Sequence, residues 1–130
     1  MSGPDSGYQF WFAKADNDIL NIENNIAAES VPWDTVCFHA QQAAEKTLKG
    51  FPLYNGRTPK RTHDLVVLLT ECVEVAPDLR KLEGVCQKLT YFSVGVRYPD
   101  DLYEPTEQDA RQLVADVRLL RSTIFDLIPG

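Results

Sequence analysis

In the string CFHAQQAAEKTLKG (residues 37–50), His39, Gln42, Lys46 and Lys49 recur at gaps of three, four and three. In a helix that spacing sets all four along one side, with Gln41, Glu45 and the apolar residues on the others. Two readings follow. Glutamine and lysine are ordinary formers of solvated helix faces, and exposed charge is the norm. Alternatively the four line a polar groove that meets an anionic group. The next stretch, GRTPKRTHDL (residues 56–65), adds Arg57, Lys60, Arg61 and His63, and no acid occurs from Lys46 until Asp64. The formal net charge of the chain is -6, so composition does not account for this basic excess. Lysine and arginine form charge-assisted bonds to phosphate oxygens, although a basic loop also serves solubility. His63 and Asp64 also read as a helix cap. In YFSVGVRYPDDLYEP (residues 91–105), Arg97 and Tyr98 precede Asp100, Asp101 and Glu104. Arg97 at a helix end either bonds the last carbonyls or reaches a phosphate, and an exposed Tyr98 would stack on a base. The acidic run complements the basic loop, which permits two copies of the chain to associate.

These residues need elements to position them, and the apolar spacing supplies helices. Tyr8, Phe12, Ala15, Ile19, Ile22 and Ile26 alternate at gaps of four and three, one stripe of a helix. Cys37, Ala40, Ala44, Leu48 and Phe51 repeat the pattern from about Trp33 to Phe51, and the alanines let a neighbour approach closely. Leu65, Leu68, Leu69 and Cys72 predict a third helix with Thr62 as its N-cap. A fourth is predicted from Pro77, carrying Leu79, Leu82, Cys86 and Leu89, and a fifth from Pro105, carrying Leu113, Val117, Leu120 and Ile124. Sustained period-two alternation is absent. Helices with one apolar stripe each must bury those stripes together, which predicts an all-α, antiparallel up-and-down bundle of four to five helices.

Composition bounds the function. The 130 residues suit a single domain, 1–130 with its core at about 8–128. A pI near 4.8 disfavours a protein that coats double-stranded DNA by bulk charge. No apolar run approaches the roughly 20 residues of a membrane span, and the N-terminus lacks a signal pattern, so the expected setting is cytoplasmic. Three cysteines without CxxC spacing exclude a disulfide framework or a four-sulfur zinc site, and they read as small buried hydrophobes. Glu-x-x-His pairs and glycine-rich phosphate loops are missing. Cys37 and His39, two apart on a helix, do not face each other.

The helix containing WFAKADNDI, the string CFHAQQAAEKTLKG, then RTHDL and RYPDD together resemble the HEPN domain, over roughly Tyr8 to Leu127. The resemblance implies a bundle of four or five helices, frequent homodimerisation and association with nucleotide or RNA. Many such domains partner a minimal nucleotidyltransferase in toxin–antitoxin-like systems, and others are metal-independent endoribonuclease toxins. The ribonuclease motif is an arginine followed after four to six residues by a histidine, near the end of the helix that here carries Arg97. At that distance from Arg97 stand Leu102, Tyr103 and Glu104, none of which can handle the proton near neutral pH. Arg57 and His63 match the spacing formally but lie in a loop. The expectation is therefore a non-catalytic module with no metal and no cofactor, binding an anionic ligand through Gln42, Lys46, Lys49, Arg61, His63, Arg97 and Tyr98. A ribonuclease toxin and a ligand-free structural dimer are the alternatives.

Overall fold

The structure, a computed structural model, describes residues 7–93 and 105–129. The described residues form five α-helices, α1 (Tyr8–Ile26), α2 (Trp33–Tyr54), α3 (Leu65–Val75), α4 (Glu83–Ser93) and α5 (Glu107–Phe125), with a 3₁₀ segment, Pro77–Leu82, leading into α4. No strand occurs among the described residues, so the all-α prediction stands. Arg97 and Tyr98 lie outside the described residues, as do Asp100, Asp101 and Glu104.

The helix starts follow local chemistry. Asp64, not Thr62, is the N-cap of α3, its carboxylate accepting from the backbone N–H of Val66 (2.9 Å) and Val67 (3.2 Å). Thr62 Oγ1 instead accepts from Asp64 N at 3.1 Å and shapes the turn into the cap. A carboxylate directly before the first helical residue reaches the orphan donors of the first turn, and a residue two places earlier does not. The predicted start at Pro77 is a 3₁₀ turn, and the α-helical bonding begins at Glu83. Proline at the first position of that turn needs no hydrogen-bond partner. α5 begins at Glu107 behind a capping box, in which Thr106 accepts from Asp109 N and Asp109 accepts from Thr106 N.

α2 is the central element and packs against α1, α3, α4 and α5. Its small residues Ala40, Ala43, Ala44 and Gly50 are buried, so α1 lies close along it. The two run antiparallel, with Phe12 against Gly50 and Asp18 bonded to Lys46 and His39. α5 is also antiparallel to α1, through the pairs Glu23–Arg118, Asp16–Arg121 and Phe12–Phe125. Lys88 of α4 meets Asp116 of α5 at 2.9 Å, an ion pair without the alignment of a hydrogen bond. Pro52 stands inside the last turns of α2 and has no N–H for the carbonyl of Leu48. The Cys72 thiol takes that place, donating to Leu48 O at 3.4 Å.

Phe12, Ala15 and Ile22 of the predicted α1 stripe are buried, and Tyr8, Ile19 and Ile26 pack partly buried against them. The three cysteines are buried and form no disulfide. Burial foremost, with the Glu71 carboxylate adding to it, pushes the Cys72 thiol up to about 12. Burial, with Glu83 and Asp64, does the same to Cys86, also to about 12. A thiol that does not ionise does not alkylate. Iodoacetamide should therefore leave Cys72 and Cys86 unlabelled in the native protein and modify both in guanidinium. Native labelling at the rate of a free thiol would contradict this packing.

Candidate functional site

Two carboxylates organise the polar side of α2. Asp18, from α1, is 5% exposed and holds two α2 side chains: its Oδ1 lies 2.8 Å from His39 Nδ1 and its Oδ2 2.6 Å from Lys46 Nζ. Glu45, on α2 itself, is 4% exposed and gathers Lys49 Nζ at 3.0 Å, His63 Nδ1 at 3.0 Å and Gln41 Nε2 at 3.2 Å. Gln42 in turn donates to Gln41 Oε1 at 2.7 Å. An ionised carboxylate only accepts, so each imidazole presents its Nδ1–H to the acid. Burial works to raise the Glu45 pKa, but the hydrogen bonds from Lys49, His63 and Gln41 and the Lys49 charge outweigh it and hold the carboxyl below its ordinary value.

The Glu45 group opens onto a groove of about 470 Å³ between the start of α1, the end of α2 and the loop before α3. Trp11, Leu53 and Pro59 give it an apolar lining, and Lys49, Lys60, Arg61 and His63 a basic one. Lys49 Nζ also sits 5.4 Å from the centre of the Trp11 ring, a cation–π contact. Arg61 is exposed, and the His63 side chain is 86% exposed beside its buried acid. A volume of this size with one flat aromatic wall and several cations suits a small anionic ligand with a planar part.

Of the residues expected from sequence, the groove brings together Lys49, Arg61 and His63. Lys46 and Gln42 lie next to it along α2, Lys46 bound by Asp18 and Gln42 by Gln41. Arg57 turns to Glu74 of α3 at 2.9 Å, so it and His63 serve separate carboxylates. Sequence reasoning named Lys60 in the basic stretch without choosing it, and it missed Trp11, Asp18 and Glu45. Glu45 had a visible signal, standing four residues after Gln41 and four before Lys49. Asp18 had none, because its partners lie 21 and 28 residues away. Among the described residues no cluster of three or more histidines, cysteines or acids could hold a metal ion, and no helix is long and apolar enough to cross a membrane.

The family model of the HEPN domain matches residues 8–126. The chain belongs to the HEPN family. Both carboxylate groups and the whole groove fall inside the matched HEPN residues. TT1696 from Thermus thermophilus has a similar crystal structure, with a TM-score of 0.74 at 23% identity over 92% of this chain and 96% of that one. ST0689, an archaeal HEPN homologue, gives a TM-score of 0.68 at 20% identity over 95% of this chain and 99% of that one. At these identities the likeness establishes the HEPN fold alone. Among curated proteins no sequence match is found.

Proposed function

We propose that this HEPN domain is a non-catalytic module that binds nucleotide or RNA in the groove between Trp11 and the 58–63 loop. It works as a homodimer and as the partner of a minimal nucleotidyltransferase in a toxin–antitoxin-like pair. The observation that carries the ligand is the convergence of Lys49, Lys60, Arg61 and His63 on one aromatic-walled groove in an acidic protein. Phosphate oxygens take charge-assisted bonds from the cations, and the Trp11 face packs against the base. Family membership supports the dimer and the partner, and the missing histidine after Arg97 argues against ribonuclease chemistry.

Lys60 and Arg61 are exposed, so their replacement tests the groove without touching the core. At a hundredfold excess over Kd, a ligand that binds only the folded state adds about 2.7 kcal/mol. Mixed ribonucleoside triphosphates or short RNA should therefore raise the melting temperature of the parent by several degrees. Lys60→Ala with Arg61→Ala should melt at the parent temperature without ligand and lose that rise. An undiminished rise in the double variant would place the ligand elsewhere, and cleavage of mixed RNA that requires His63 would turn the reading toward the endoribonuclease toxin.

A further inference from the structure

The polar side of α2 is built twice from the same parts. In each unit a buried carboxylate binds a histidine through Nδ1 and a lysine through Nζ: Asp18 with His39 and Lys46, Glu45 with His63 and Lys49. Each unit also has an aromatic ring beside it. Trp11 stands by Lys49, and Phe38, 48% exposed, stands edge-on to His39 with ring centres 5.4 Å apart. Lys46 and Lys49 are one helical turn apart, and His39 to Lys49 spans about 15 Å of helix. Only the second unit borders the groove.

The repeat has a chemical meaning. Within each unit the carboxylate cancels the lysine, so neither attracts an anion strongly by net charge. Each lysine gives one of its three N–H groups to its acid and keeps the others for a ligand. A unit of this kind binds weakly and directionally, and two in a row bind a repeating ligand far better than a single one, because the second contact is intramolecular. The ligand whose phosphate and planar base recur along a chain is a nucleic acid strand, and stacking on exposed rings requires it to be single. We infer that Phe38, His39, Gln42 and Lys46 form a second nucleotide subsite, so that the ligand of the groove is a single-stranded oligonucleotide rather than a free nucleotide. This rests on the groove reading above and extends it along α2.

The test is a titration calorimetry series with adenylate and uridylate oligomers of one, two, three and five residues. The parent should gain at least about tenfold in affinity between one residue and three, from the linked second contact. Phe38→Ala, a change at an exposed position, should erase that gain and leave mononucleotide affinity within about twofold, since the second contact alone is lost. Lys46→Gln still offers Asp18 a donor and should act in the same selective way. A parent whose affinity does not depend on length, or variants that weaken one-residue and three-residue ligands equally, would overturn the second subsite. A parent that binds neither class would instead remove the groove reading on which it rests.

Discussion

Gly50→Val should lower the melting temperature by roughly 10 °C, which for a chain of this size corresponds to about 3 kcal/mol. A Cβ at Gly50 would meet Phe12 Cε1 at 2.5 Å and Cδ1 at 2.9 Å, so the ring must move. Phe12 has little room, being buried, packed at 4.8 Å on Phe125 and set edge-on to Tyr8 at 5.9 Å. Alanine at the same position regains about 1 kcal/mol of helix propensity and still clashes, so Gly50→Ala should be destabilised by only about 1 kcal/mol. Joining it to Phe12→Leu should recover part of that loss, because residues in contact couple. Urea unfolding measures all three. A Gly50→Ala protein at least as stable as the parent would show that α1 and α2 are less closely packed than described.

Glu45→Ala should cost about 3 kcal/mol at neutral pH, the usual result of stripping a buried ion pair of one partner. Lys49, whose side chain is 12% exposed, would be left without its acid, whereas the exposed His63 would return to water at little cost. The pH dependence has a defined sign. The Glu45 pKa lies below its ordinary value of 4.5 in the folded protein, so its ionised form stabilises the fold above that value. That contribution disappears as pH falls from the ordinary value through the folded one. The stability difference between parent and Glu45→Gln should thus be widest at neutral pH and close progressively below 4.5. A difference that stays constant down to about pH 3 would mean that folding does not lower the Glu45 pKa.

The helices were legible because apolar spacing at three and four reports directly which side faces inward. Ile22, Ala40, Leu48, Leu113 and Leu120 all lie where that spacing places them, fully buried. The same logic fails for Asp18 and Glu45. An acid in a helix counts as a solvent residue unless its partner is known; the cations that permit burial come from another helix for Asp18, and from Lys49 of the same helix with His63 of the loop for Glu45. The line of His39, Gln42, Lys46 and Lys49 could be read from one segment alone. That the line divides into two acid-centred groups could not, since Asp18 reaches it only through the pairing of α1 with α2. Trp11 escaped notice for a related reason: it lies off the α1 stripe, and only the folded loop after α2 gives it a role.

Tyr8 meets Tyr54 with ring centres 5.1 Å apart, and Phe12 meets Phe125, so α1 begins where α2 and α5 finish. Trp11 and Leu53 place the groove at this same pole. The first turn of α1 and the last turn of α5 therefore share one pole of the bundle with the candidate groove, so a label placed on either of those turns is set near it. The exposed turn at Glu29 and Ser30, about 28 Å away at the far end of α1, is the place to attach a reporter that must not interfere.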